Sequence, residues 1–323
     1  MWKTMTTWNA LSPDQAMVDA LDQADDPTSR EAIRNELIRL LSLDNPDLSP
    51  LQKMRKRWSE QFARACATMV ANGLRAIPDI GSGFHITPDA SGGNQESFTP
   101  LGYKRGKRID VVVSRELLGL QIGVSLKGIN FRDGAGGNFD KNLTGRLYEL
   151  RDEVSTVHDY LPRAFMAGLF FVPAAGCFDK SVGPSSFAHT VAQLRSRSGR
   201  LDPSVPAQNW KCDFAAVGLY GSGEPEEVQN GLPRGVVRYF PVIDAEGLPN
   251  RPPRRGLPVL STTLTLDELL RLLVAHAVRG TAAGTSFAEA ADETVILPAL
   301  DASAPSVEVG DDAPDDGPLD TTS

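Results

Sequence analysis

Two neighbouring stretches, RIDVVV (108–113) and LGLQIGVSLKG (118–128), carry alternating or β-branched residues and are separated by about five residues. That pattern reads as a β-hairpin. In the second strand Leu120, Ile122, Val124 and Leu126 point one way, so Gln121, Gly123, Ser125 and Lys127 point the other. In the first strand Ile109, Val111 and Val113 share a face and leave Asp110 opposite. With the oily face packed inward, Asp110 joins Ser125 and Lys127, and a carboxylate lies beside an ammonium. An ordinary cross-strand ion pair has the same arrangement.

Around this hairpin the period changes. Residues 13–43 read as amphipathic helices broken by DDPTS and closed by Asn45, Pro46 and Pro50. The stripe Met54, Trp58, Phe62, Ala65 and Met69 predicts a long buried helix over 51–74, and residues 75–106 are loop-rich. After FRDGAGGNFD, the apolar residues Leu143, Leu147, Leu150, Val154 and Val157 predict a helix over 141–160. MAGLFFVP (166–173), DFAAVGLYG (213–221) and GVVRYFPV (235–242) read as strands, with helices at 185–197 and 265–279. The class is α/β: a mixed central sheet flanked by helices, with a helical cap over 1–50 and the main domain over 51–280.

Composition narrows the function classes. The chain has 323 residues, 41% of them hydrophobic, which excludes a disordered chain or a disulfide-framed miniprotein. Its formal charge of −8 is concentrated in residues 301–323, which hold seven acids and no Lys or Arg, leaving a body near −1. Residues from 281 on have the composition of a disordered acidic tail. Basic residues cluster locally at Lys53, Arg55, Lys56 and Arg57; at Lys104, Arg105, Lys107 and Arg108; and again near 195–200 and 251–255. Cys66, Cys177 and Cys212 form no CxxC pair, so each reads as a small core residue rather than a zinc ligand. No window approaches eighteen apolar residues, and the start MWKTMTTWNALSPDQ lacks a secretory pattern, so the expectation is a cytoplasmic protein without membrane contact. No glycine-rich phosphate loop of the G-x-x-x-x-G-K-[ST] form is present, and no nucleotide cofactor is expected.

Asp110, then fourteen intervening residues and Ser125-Leu126-Lys127, resembles the PD-(D/E)xK nuclease superfamily over roughly residues 50–175. In that family an aspartate begins one strand and an acid-x-lysine triplet lies on the next. Arg108-Ile109 precede the aspartate here instead of the usual proline, and the literal Pro-Asp pairs at 13–14, 46–47, 78–79 and 88–89 read as turn chemistry. Ser125 stands where the second metal-binding acid belongs. Restriction enzymes cutting CCGG-type sites are similar in having Ser-x-Lys and take the missing acid from the following helix. On a helical wheel Asn142, Arg146, Glu149 and Glu153 fall along one flank of the 141–160 helix, with Glu149 the first choice for that acid and Glu153 the second. A solvated charge ladder has the same spacing. Glu60, on the preceding helix, is a third candidate, while Asp140 reads as the helix N-cap.

The resemblance implies an Mg²⁺-dependent DNA endonuclease of a restriction or antiviral defence system, acting as a homodimer on duplex DNA. One or two Mg²⁺ ions would be held by Asp110 and Glu149 or Glu153. Lys127 would orient the attacking water, and Ser125 would support by hydrogen bonding. Backbone contacts would come from Lys104, Arg105, Lys107, Arg108, Arg146 and Asn142. A nuclease-fold protein that only binds nucleic acid or a partner is the alternative, and a plain ligand-binding or scaffold protein is a third. His85 and His158 receive no role.

Overall fold

The computed structural model describes residues 7–280 except 82, 91–96, 99–106, 117–118, 135–136, 201–204 and 245. Helices α1 (Gln15–Asp25), α2 (Arg30–Leu41), α3 (Ser49–Arg75) and the one-turn α4 (Pro78–Gly81) come first. They lead into β1 (His85–Thr87), the short strands β2 (Ser97–Phe98) and β3 (Lys107–Arg108), β4 (Val111–Arg115) and β5 (Gly119–Gly128). The chain continues through α5 (Leu143–Tyr160), β6 (Phe165–Pro173), α6 (Ser186–Arg195), β7 (Phe214–Tyr220), α7 (Pro225–Gln229), β8 (Val237–Pro241) and α8 (Leu266–Gly280). Six strands form one mixed sheet in the order β1-β4-β5-β6-β7-β8, with β5, β6 and β7 parallel and the remaining pairs antiparallel. The α/β class read from the changing hydrophobic period is the class observed.

Helices cover both faces. On one, Val111, Val113, Ile122, Val124 and Leu126 pack with α1, α2, α3 and α8; on the other, Val112, Met166, Phe170 and Val217 pack with α5 and α6. Helices α1 and α2 share this core, since Met17, Leu21, Ile33 and Leu37 are buried with Trp58 and Phe62 of α3. Two of the Pro-Asp pairs act as starts of helices: the Asp14 carboxylate accepts from Met17 N at 3.1 Å, and Asp47 accepts from Ser49 N at 2.9 Å. Cys66, Cys177 and Cys212 are buried and free.

The hairpin differs from its simple alternation in two respects. A register shift between Val113 and Ser114 places Leu120 opposite Ser114 and Ile122 opposite Val113. One extra residue reverses the facing of everything beyond it, so Leu120 joins the α5 side while Ile122, Val124 and Leu126 remain on the α3 side. Ile109 lies outside β4 and also packs on the α5 side, rather than beside Val111 and Val113. The second face of β5, read as the polar one, is covered: Ser125 is fully buried and Lys127 is only 8% exposed. A sheet with parallel strands at its centre needs a helical layer on each side, and α5 supplies it here. β1 falls inside the stretch read as loop, because three residues are too few to show a period.

Candidate active site

β4 starts at Val111, which lies opposite Val124. Beyond that register β5 has no β4 residue to pair with, and the Leu126 N–H would be left without a partner. Asp110 fills the gap: its Oδ2 accepts from Leu126 N at 2.7 Å. A side-chain carboxylate thus stands in for a strand partner, as the rule that buried backbone donors are satisfied requires.

Strand parity sends Ser125 and Lys127 toward α5, where Glu153 meets both. Glu153 Oε2 accepts from Ser125 Oγ at 2.5 Å and Oε1 accepts from Lys127 Nζ at 2.7 Å. The Glu153 side chain is 17% exposed. Its position follows from how α5 docks. Leu143, Leu147, Leu150, Val154 and Val157 are all buried, a gross contribution on the order of 10 kcal/mol at about 2 kcal/mol each. Surface charge pairs along a helix are worth only about 0.3–0.5 kcal/mol each, so the apolar stripe sets the phase. Gly168 then fixes the helix along its axis. It lies opposite Ser125 in the parallel β5–β6 pair, and a Cβ there would come within 2.9 Å of Leu150 Cδ2. With Leu150 seated on Gly168, the residue three positions later stands over Ser125 and Lys127.

The cluster is an acidic one. Burial pushes the Asp110 carboxyl above the ordinary carboxylate range; the Lys127 ammonium and the Leu126 N–H pull it back, while the charges of Glu153 and Glu149 push it up again. Asp110, Glu153 and Lys127 together carry a formal −1 in a desolvated setting. Leu126 N–H is the one hydrogen bond that Asp110 accepts among the described residues, and each Glu153 oxygen retains acceptor capacity beyond its single bond. No group of three or more His, Cys, Asp or Glu side chains suited to a metal occurs among the described residues. Two carboxylates nevertheless match the habit of Mg²⁺, which keeps several waters and takes one or two carboxylates together with substrate phosphate.

The other anticipated residues fall as follows. Glu149 is 48% exposed and pairs with Arg146 at 2.8 Å, so the first-choice acid lies at the rim and the second-choice Glu153 meets the strand residues. Asn142 is exposed, and Arg108 is exposed on β3. Lys107 forms an ion pair with Asp152 of α5. Lys104 and Arg105 lie outside the described residues. Glu60 is exposed and 3.9 Å from Lys56, away from the cluster. Asp140 does not cap α5: its carboxylate binds Lys180 at 2.5 Å and His189 at 2.6 Å, and Asn142 occupies the cap position without a side-chain bond. His158 is fully buried, 3.0 Å from Asn209 O and 3.2 Å from Asp213 Oδ2.

Three buried charges were not anticipated. Asp213 binds Arg200 and His158; Arg30 binds Glu224 and Asn130 O; and Glu227 accepts from the backbone N–H groups of Ala175, Ser222, Gly223 and Glu224. Only the Glu-Pro-Glu-Glu run at 224–227, which reads as a helix start, gives any local signal for them. No family model, curated protein or solved structure matches the chain.

Proposed function

We propose that the chain is an Mg²⁺-dependent DNA endonuclease of the PD-(D/E)xK type that hydrolyses phosphodiester bonds. The observation that carries this reading is the hydrogen-bonded trio Ser125, Lys127 and Glu153, with Asp110 held on the Leu126 N–H of the same strand, near enough for the Lys127 and Glu153 charges to act on it. The helix acid takes the place left by Ser125 in the strand motif.

Asp110 and Glu153 would hold the ion. An Mg²⁺ ion held there would supply charge neutralisation at the scissile phosphate and a lowered pKa for a water. Lys127 keeps Glu153 oriented and presents an ammonium that can hold the attacking water in line. Ser125 donates to Glu153 and so fixes the carboxylate from the strand side. Attack by the water oxygen on phosphorus forms one P–O bond, with the water's proton passing to solvent, and breaks the bond to the leaving oxygen, which takes a proton from solvent. Duplex DNA as substrate, a homodimer cutting both strands, a cytoplasmic location and a role in restriction or antiviral defence extend the same reading from the family resemblance.

Plasmid cleavage tests it. Nicking or linearisation is expected with Mg²⁺ and not with EDTA, and loss is expected in Asp110→Ala, Lys127→Ala and Glu153→Gln. Cleavage that persists in Asp110→Ala sinks the assignment. A second reading, a nuclease fold that binds nucleic acid without cutting it, draws on Glu153 having both oxygens engaged by Ser125 and Lys127. Salt-dependent DNA retention with no cleavage in any divalent ion would select it.

A further inference from the structure

On the opposite face of the sheet from α5, a cavity of about 120 Å³ lies between α2, α3, the loop after β5 and the loop after β7. Four arginines line it, Arg30, Arg34, Arg55 and Arg132, against two acids, Glu224 and Glu226. Arg30 pairs with Glu224 at 2.9 Å and Arg132 with Glu226 at 3.0 Å, so two positive charges are left over. Arg34 and Arg55 donate no hydrogen bond among the described residues.

The two surplus arginines, Arg34 and Arg55, are half-buried, and the paired Arg30 beside them is buried. Arg30 is 8% exposed, its guanidinium lies 4.8 Å from the Trp58 ring and 4.9 Å from the Phe131 ring, and its Nε and Nη1 have no hydrogen-bond partner. Arg55 stacks on the same Phe131 ring at 5.5 Å, and its buried Nε is likewise unpartnered. Burial holds the Arg55 pKa below its ordinary value; the Asp133 charge opposes this, and the neighbouring Arg30 charge adds a smaller push downward. Unpaired buried donors on guanidinium groups cost more than neutral ones, and two such groups sharing one ring ask for an anion between them.

We propose that this cavity binds a terminal phosphoryl group carried by a nucleotide or a nucleic-acid end. A phosphoryl dianion offers three terminal oxygens to forked donors, whereas a carboxylate offers two. The cavity far exceeds the ~15 Å³ one water needs, and takes a tetrahedral group with the remainder of the ligand outside. Phe131 and the exposed Ile38 on the lining form an apolar seat for a base. The location agrees with the general rule for open α/β sheets, since both flanking loops leave the carboxyl ends of parallel strands β5 and β7. The site is assembled from side chains on separate elements, so the lack of a glycine-rich phosphate loop does not bear on it. It shares no residue with Asp110, Lys127 or Glu153 and stands or falls apart from the nuclease reading.

Calorimetric titration of the full chain tests the site with inorganic phosphate, AMP, adenosine, and a short oligonucleotide bearing either a 5′-phosphate or a 5′-hydroxyl. AMP is expected to bind with a Kd of about 1 mM or tighter, and adenosine not to bind. The double variant Arg34→Ala/Arg55→Ala, which breaks no ion pair of the described residues, should lose at least about tenfold in affinity with an unchanged melting midpoint. Phe131→Ala should weaken AMP more than phosphate. Tighter binding of AMP than of the 5′-phosphorylated oligonucleotide identifies a free nucleotide as the source, and the reverse order identifies a nucleic-acid end. Adenosine or the 5′-hydroxyl oligonucleotide binding as well as its phosphorylated counterpart overturns the proposal. So does an undiminished double variant, or no saturation by any phosphorylated probe.

Discussion

Helix α5 contributes to two buried charge clusters, and they are built in opposite ways. Near its carboxyl end His158 approaches Asp213, whose two oxygens also receive Arg200 Nε at 2.8 Å and Met166 N at 2.7 Å. Just over a turn earlier, Glu153 enters the cluster with Ser125, Lys127 and Asp110. Asp213 is surrounded by donors. Asp110 is desolvated, accepts one hydrogen bond among the described residues, and has two further carboxylates close enough to push its pKa up. Burial of charge is common to both, so burial does not mark function. What separates them is whether the protein itself completes the shell around the carboxylate. A closed shell holds β6 and β7 in place, and an open one leaves room for a ligand.

The sharpest way to break the contrast is to remove Asp213. Its partner Arg200 has a side chain only 1% exposed, and Asp213→Ala leaves that guanidinium buried and uncompensated. The expected loss is about 3–5 kcal/mol in chemical denaturation, enough to unfold a marginal domain. A loss below about 1 kcal/mol would show that this shell is no more structural than a surface pair.

Next in size is Glu153→Gln. Loss of its charge should reduce Mg²⁺-dependent cleavage by about a hundredfold or more, equivalent to about 2.7 kcal/mol at the transition state, while the protein stays folded by circular dichroism. Cleavage within a factor of about three, under 1 kcal/mol, would remove Glu153 from the site.

Much of this architecture is visible in the residues. The 141–160 stripe and the 118–128 alternation predict α5 and β5 because each carries a periodic apolar face, but the parity that set Asp110 beside Lys127 fails at Ile109, and Asp110 accepts from the Leu126 N–H while Lys127 pairs with Glu153. The choice between Glu149 and Glu153 could not be made that way. Both lie on one flank, and a helical wheel fixes rotation but not the level at which the helix crosses the sheet. That level depends on Leu150 meeting Gly168, a contact between elements whose relative placement no local pattern records. The reversal at Leu120 is hidden for a similar reason, since a bulge is one extra residue in an otherwise regular alternation. Asp213, Arg200 and His158 come together from three separate segments and leave no trace in spacing.

A smaller effect sharpens the contrast through pH. Because the Asp110 pKa is raised in the folded protein, the native state holds this proton more tightly than the unfolded chain. The group therefore costs stability as pH rises from its ordinary value of 3.8 through the raised value, and the cost is constant above that. Asp110→Asn removes the charge and should be more stable than the native chain at neutral pH, with the gap closing below pH 3.8. Denaturation midpoints of both proteins across this range measure it. An Asp110→Asn chain that is less stable at neutral pH would mean that the carboxylate is completed by the fold, like Asp213. Mg²⁺ should raise the melting midpoint of the native chain and leave Asp110→Asn unmoved, because a ligand stabilises only the state that binds it.

The smallest effect is the most diagnostic of where α5 sits. Glu149 is about half exposed and its pairing with Arg146 spans one helical turn. Glu149→Gln should change stability by no more than about 0.5 kcal/mol and leave cleavage near the native rate, because its carboxylate is not among those meeting Lys127. Its charge does help to raise the Asp110 pKa, so the acidic limb of the pH–rate profile should move slightly toward lower pH in this variant. If Glu149→Gln instead abolishes cleavage and Glu153→Gln does not, the helix must stand one turn away from the position that Leu150 and Gly168 give it. The pair of variants therefore reads the level of α5 on the sheet directly from catalysis.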